Sequence, residues 1–410
     1  MSLRILHVLR ASDSDAGRSI RAVCELSAAQ IRLGHHIELV ALGGTPGQWM
    51  EGLAVPIHRL ADGRGALRIN TPLSRWIMGR AGAFDCIIVH GIWDFCSLGT
   101  WRALRDSTVP FFVFTHGMLD PWFKHRRPLR HFVRWFYWLS AGYPILRDAH
   151  AVFFLSDDER FRARDTFWLY DCHEFVVRQG VMGIPQGLAE SCAETFLSGR
   201  PELRGKRLFT VFADPNSIEG LRAVMEAIES LSQRGAWDIR QMRLVIACSD
   251  IRAVKDRVES DPSHRAAGAS LHWTGPLTDA ETWGALRASE VFLRPSSYEI
   301  CCGRVADALS AGTPVLVATG LAIWKDIVND GAGLADESTA EGCMRVLEKW
   351  MGLPHPDKVA MRARARQCFE ERYTHDGAAR TLISAIYLLI GVHRDGRWDL
   401  RPLKPASELP

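Results

Sequence analysis

A chain of 410 residues exceeds what one compact core organises, and the usual size of a domain points to two lobes with a cleft between them. With 47% apolar residues, 24% charged residues and a formal charge of +3, the composition excludes a disordered or fibrous protein and offers no strongly basic domain for nucleic acid. No apolar run approaches the roughly 20 residues that span a bilayer, and Met1–Leu9 runs into a strand-like segment without signal-peptide architecture, so the expectation is a cytoplasmic protein. Ten scattered cysteines, without a Cys-x-x-Cys pair or Cys/His ligand spacing, argue against structural zinc and against a disulfide framework.

In chain order, RILHVL, IELVAL, CIIVH and FFVFTH are short apolar runs of the kind that form buried parallel strands, with amphipathic segments between them, the first over Ser19–Leu33. Gly17 and Arg18 stand between the first strand and that helix, where free N–H groups and the helix dipole favour an anion. His90 closes the third run and His116 the fourth. Trp122–Arg147 interleaves Lys124, Arg126, Arg127, Arg130, Arg134 and Arg147 with Trp122, Phe132, Trp135, Phe136 and Trp138 at helical spacing. That pattern suits a membrane interface bearing anionic head groups, or an amphipathic helix packed on the core. Glu159, in FFLSDDERFR, stands at a helix start after a further strand.

Glycines and prolines from Gly183 to Gly205 break the rhythm and mark the linker. A second set follows: LFTVFA, RLVIAC, VFLRP and PVLVA, with helices over Gly220–Arg234 and Gly303–Ala311. A last helix over Ala379–Val392 leads to a polar, proline-containing tail. The expectation is an α/β protein of two doubly wound domains facing across a cleft, residues 1–190 and 191–393, with the tail at 394–410.

The segment RPSSYEICCGRVADALSAGTPVLV, Arg294–Val317, reads as a strand, a polar loop, a helix opened by Gly303 and a Gly-Thr-Pro turn into the next strand. A ligand is expected above that loop, where the helix presents its positive end to phosphate. Glu299 stands at the mouth and Asp307 about two helical turns further on. The segment resembles the signature of the large retaining glycosyltransferase family with the GT-B fold (family 4), in which Pro-Ser-x-x-Glu is followed, after seven intervening residues, by a second Glu and then Ala-Leu-Ala-x-Gly-x-Pro-Val. LHWTGPLTD and ASEVFLRPSS before it, and WKDIVNDGAGL after it, are similar to that family's flanking elements. Thr-His-Gly-Met at His116 resembles the first-domain motif whose His faces the transferred sugar, and Ser156-x-x-Glu159 the motif whose Glu faces the cleft.

The resemblance implies a Rossmann-like acceptor-side domain and a Rossmann-like donor-binding domain. It also implies transfer of a sugar from a nucleotide-sugar substrate to a glycan or lipid-linked acceptor with retained configuration, in bacterial surface polysaccharide assembly. Glu299 and His116 would orient the sugar and Asp307 would meet the ribose. No cofactor and no obligatory metal would be needed. The basic aromatic segment, with His90, Trp122, Arg126, Arg127 and Arg130, would serve the acceptor or an anionic membrane on the inner face of the plasma membrane.

Where the resembled family places an Arg and a Lys on the donor diphosphate, this chain has Asp214 and Glu219. Two anions in place of two cations would cost several kcal/mol at an effective dielectric of about 20. Arg18 after Gly17, and Arg304 after Gly303, are the candidates to carry the phosphates instead. The alternative is a degenerate relative that keeps the cleft as a binding or partner-stabilising module. An epimerase of the same two-domain fold is disfavoured by the transferase character of the segment around Glu299.

Overall fold

The computed structural model describes residues 2–11, 16–43, 55–61, 71–121, 128–185, 187–213, 218–259, 270–296 and 303–394. The first half contains β1 (Arg4–Arg10), α1 (Ala16–Arg32), β2 (His36–Leu42), β3 (Ile57–Leu60), α2 (Thr71–Arg80), β4 (Cys86–His90), α3 (Phe95–Leu104) and β5 (Phe111–Phe114). It continues with α4 (Pro128–Tyr137), a π-helical turn (Trp138–Gly142), α5 (Tyr143–Asp148), β6 (Ala151–Phe154), α6 (Asp157–Ala163) and β7 (Glu174–Val176). The second half opens with α7 (Ala189–Ser198), β8 (Arg207–Ala213), α8 (Glu219–Gln233), β9 (Met242–Cys248), α9 (Ile251–Glu259), β10 (Leu271–Gly275), α10 (Asp279–Ala288) and β11 (Val291–Arg294). It closes with α11 (Gly303–Ser310), β12 (Val315–Ala318), α12 (Trp324–Asn329), β13 (Gly333–Asp336), α13 (Ala340–Gly352), α14 (His355–Arg372) and α15 (His375–Arg394).

The strands form two parallel sheets, in the orders β3-β2-β1-β4-β5-β6-β7 and β10-β9-β8-β11-β12-β13. Each sheet reverses its direction of growth beside its first strand. The switch points therefore lie between β1 and β4 and between β8 and β11, where open α/β sheets bind ligands beyond the strand carboxyl ends. The apolar runs become strands because both faces of each sheet are covered. Leu6, Val8, Ile87 and Val113 pack with α3 and α5 on one side of the first sheet, and Ile5, Leu39, Ile88 and Phe112 pack under α1 and α15 on the other.

Several helices begin where a side chain takes up free backbone N–H groups. Thr278 and Glu281 form a reciprocal capping box on α10, Ser156 caps α6 and Thr339 caps α13. At the second switch point, α8 approaches the β11 loop so closely that a Cβ on Gly220 would lie 2.9 Å from the Pro295 carbonyl oxygen. Only glycine fits there.

The sequence groups the last helix with the second half of the chain. In the structure, α15 crosses back and buries Leu382, Ile383, Ile386 and Leu389 in the core under the first sheet. Arg32 of α1 pairs with Asp376 at 2.5 Å and Glu25 with His375 at 2.7 Å, fixing the start of α15 on α1. Full burial of one such aliphatic side chain is worth about 1.5–3 kcal/mol, far more than the exposed Arg32–Asp376 pair.

Candidate active site

On the α1 side of the first sheet, three imidazoles meet in a row. His7 belongs to β1, opposite Ile88 in the register with β4; His90 ends β4, opposite Phe114 of β5; His116 follows β5. These registers bring His7 Nδ1 to 2.9 Å from His90 Nε2 and His90 Nδ1 to 2.8 Å from His116 Nε2. At the inner end, His7 Nε2 lies 2.9 Å from Gln30 Oε1 on α1. The rings stack, with centroids 5.2 Å and 5.1 Å apart. Burial keeps all three neutral at physiological pH. It lowers His7 to about 4 against the opposing hydrogen bond to Gln30, lowers His116 to about 4, and holds His90 well below the usual histidine value with help from its two neighbours.

His116 sits in the left-handed region, with φ of 47°, and Gly117 follows with φ of 72°. A non-glycine residue there costs on the order of 1–3 kcal/mol, and such residues cluster at functional sites. Glu159 holds the turn. Its Oε1 accepts from the Thr115 hydroxyl at 2.7 Å and from the Gly117 amide at 2.5 Å, and its Oε2 accepts from the Leu155 amide at 2.6 Å. The reading of Glu159 as a residue facing the cleft is therefore corrected: it is buried, and burial raises its carboxyl above the usual range despite those donors.

The second domain meets this edge through α11. Gly303 and Ala306 line a small cavity together with Leu155 and Ser156 of the first domain and Ala322 and Ile323 of the second. Arg304 Nη1 lies 3.4 Å from Asp307 Oδ2, and its guanidinium stacks over the Phe212 ring at 5.0 Å. Burial, with help from Asp279 and Glu25, raises Asp307 to about 6, although Arg304 opposes the shift. Across the cleft Arg21 of α1 joins Glu25 at 2.9 Å and Asp279 of α10 at 3.2 Å. Against the upward push of burial, His375 and Arg21 hold Glu25 below its ordinary value. Arg21, Glu25, Asp279 and His375 were not singled out from the sequence, because each reads locally as an ordinary surface residue.

Glu299, Trp122, Arg126, Arg127 and Asp214 lie outside the described residues. Gly17 and Arg18 fall in the first turn of α1 and Arg130 in the first turn of α4, with side chains also outside them. Glu219 is exposed at the first position of α8, where the helix dipole favours a negative charge. His90 is the buried middle of the histidine row and not an acceptor-facing group on the surface. On α4, Phe132, Val133 and Phe136 are 63%, 68% and 58% exposed, an apolar stripe facing away from the core. Among the described residues no three His, Cys, Asp or Glu side chains are grouped to hold a metal ion, and no helix is long and apolar enough to cross a membrane.

The glycosyl transferase 4-like domain family matches residues 19–176, and the glycosyl transferases group 1 family matches residues 207–349. Together they span most of the chain, one on each sheet, and the chain is a glycosyltransferase of GT-B architecture. Among solved structures, a glycosyltransferase from Rickettsia africae superposes with a TM-score of 0.73 at 14% identity, over 95% of this chain and 99% of that one. Anabaena HepE in complex with UDP superposes with a TM-score of 0.71 at 11% identity, over 94% and 100%. Sucrose-phosphate synthase of Thermosynechococcus elongatus gives 0.67 at 15% identity, over 95% and 100%. No curated protein matches the chain.

Proposed function

We propose that the protein transfers a sugar from a nucleotide-sugar donor to a glycan or lipid-linked acceptor with retention of configuration, in bacterial surface polysaccharide assembly. The observation that carries this reading is the strained, clamped His116 turn at the end of β5: Glu159, which holds it, also binds the amide of Leu155, and Leu155 lines one cavity with Gly303 of α11. A group held in that conformation by a buried carboxylate suits the orientation of a substrate better than any packing role. The Anabaena neighbour was solved with UDP and with UDP-glucose, which supports a nucleotide sugar as the donor.

In this account Gly303 and Arg304 on α11, with Gly17 and Arg18 at the start of α1, receive the donor diphosphate, and Asp307 receives the ribose hydroxyls. His116 and Glu299 orient the sugar by hydrogen bonds. Closure of the lobes excludes water. The leaving diphosphate oxygen takes the acceptor proton on the face of attack, so the departing group supplies the base. The nucleotide sugar is a substrate, and no obligatory metal is invoked.

The exposed stripe on α4, together with the basic and aromatic residues Trp122, Arg126, Arg127 and Arg130 that precede it in the sequence, supports docking on an anionic membrane from the cytoplasmic side. A second reading, a binding module without transfer, is favoured by Glu219 at the donor-side helix start. The two readings separate in one experiment. Incubation with nucleotide sugars and a lipid-linked glycan, followed by NMR of the product, gives a new linkage of unchanged anomeric configuration under the first reading and no product under the second.

A further inference from the structure

We propose that the buried chain Gln30–His7–His90 is a positioning device that fixes which ring nitrogen of His116 carries the proton, leaving His116 Nδ1 as a bare acceptor for a hydroxyl of the bound sugar. The proposal rests on the reading of His116 as the group that meets the transferred sugar.

A neutral imidazole has one N–H and one bare nitrogen. Each ring of the row uses a nitrogen on each neighbour: His7 contacts Gln30 through Nε2 and His90 through Nδ1, and His90 contacts His7 through Nε2 and His116 through Nδ1. One proton lies in each contact. If one ring turns its proton around, the next contact holds two protons or none, so the whole row must turn together. Only two arrangements exist, and the end of the row selects between them. Gln30 faces His7 with its carbonyl Oε1, while its Nε2 is buried without a partner. With the carbonyl on the ring, the His7 proton lies on Nε2, and a turned amide would select the opposite arrangement, which ¹⁵N spectra distinguish. His7 Nδ1 then accepts from His90 Nε2–H, and His90 Nδ1 accepts from His116 Nε2–H. The burial that keeps the rings neutral keeps the count valid, because an imidazolium would donate at both ends.

A buried hydrogen-bonded row of this kind serves more than packing. Three apolar side chains of similar size would fill the same space under α1 at no cost in polar desolvation, as Ile5, Ile88 and Phe112 do beside it. A row that reaches from Gln30 on α1 to the strained His116 couples the helix that carries Arg21 and Glu25 at the cleft to the orientation of the sugar-facing ring.

The test is ¹⁵N NMR of histidine-labelled protein without ligand, with the His116 signals identified by their loss in His116→Gln. The expected result is a pyrrole-type Nε2 and a pyridine-type Nδ1. His7→Phe removes the acceptor for His90 Nε2–H, so the His116 pattern inverts, and kcat/KM for sugar transfer falls about tenfold, the worth of one hydrogen bond. His7→Asn puts Oδ1 where Nδ1 was, and both the pattern and most of the activity return. Should His7→Phe not fold, Gln30→Leu serves instead, and His116 becomes a mixture of the two forms. A wild-type His116 protonated on Nδ1, or a pattern that neither variant changes, overturns the proposal. The spectra need no substrate, so a failure of the transferase reading is told apart from a failure of the positioning role.

Discussion

Glu159 Oε1 lies 2.5 Å from the amide nitrogen of Gly117 and 2.7 Å from the Thr115 hydroxyl, so a carboxylate on α6 holds the backbone on both sides of His116. The strain at His116 persists because three donors converge on one buried carboxylate. Glu159→Gln keeps the volume but turns an NH₂ group toward backbone donors. Loss of a charged acceptor with its partners still buried is expected to cost about 2–4 kcal/mol in denaturant unfolding. Transfer activity should fall further than stability accounts for, since the His116 turn relaxes. Unchanged unfolding would show that the clamp does not hold the turn.

The raised Asp307 carries a pH dependence. Its surroundings are Arg304, Asp279 and Glu25, and its proton is retained up to about 6. If the ionised carboxylate receives ribose hydroxyls, nucleotide affinity rises as pH rises through about 6 and levels off above it. In Asp307→Asn that step disappears and affinity is uniformly lower, by about tenfold for one lost charged hydrogen bond. Titration calorimetry across pH 5 to about 8 with both proteins measures it.

The histidine row predicts a separate dependence of stability on acid. His7 and His116 have folded values near 4 against an unfolded value of 6.5, so the unfolded chain binds more protons between those limits. Their contribution is present above pH 6.5 and is lost as pH falls toward 4. Asp307, raised in the fold, works in the opposite direction over its own window, so the effect is read as a difference between proteins. His7→Asn removes one such group, and the acid limb of its stability curve should be shallower by up to about 1.4 kcal/mol per pH unit. Parallel curves would contradict the buried neutral state of His7.

The stripe on α4 gives a prediction for membranes. Phe132→Ser with Phe136→Ser removes two exposed apolar groups without touching the core. Each is worth about 1.5–3 kcal/mol when buried in the interface, so binding to anionic vesicles should weaken at least about tenfold while thermal unfolding stays the same. Co-sedimentation with vesicles of acidic phospholipid measures it.

Much of the fold was legible in the sequence, because a strand covered on both faces must be apolar throughout. RILHVL, CIIVH and PVLVA could hardly be anything else, and Gly303 after VFLRP marks a helix that opens above a strand end. The path of α15 was not legible: its apolar face requires a partner, but nothing local says that the partner is the distant first sheet. His116 could be singled out by its motif. His7 and Gln30 could not, since a lone histidine inside a strand and a glutamine inside a helix gain meaning only from the register that joins β1, β4 and β5. Glu159 carried the right chemistry in the wrong direction, because the helix start capped by Ser156 looks the same whether its Glu faces in or out. Arg304 stands in the sequence as a candidate for the donor phosphates, and its contact with Asp307 three positions along comes only from the helix that carries both.

The central claim is that α11 and the loops opposite it receive a nucleoside diphosphate, and ligand-dependent thermal unfolding with a panel of nucleoside diphosphates and nucleotide sugars tests it most directly. At about 100 times its dissociation constant a ligand adds about 2.7 kcal/mol to folding stability. A clear upward shift for one base is expected, much reduced in Arg304→Ala. No shift for any member of the panel would contradict it.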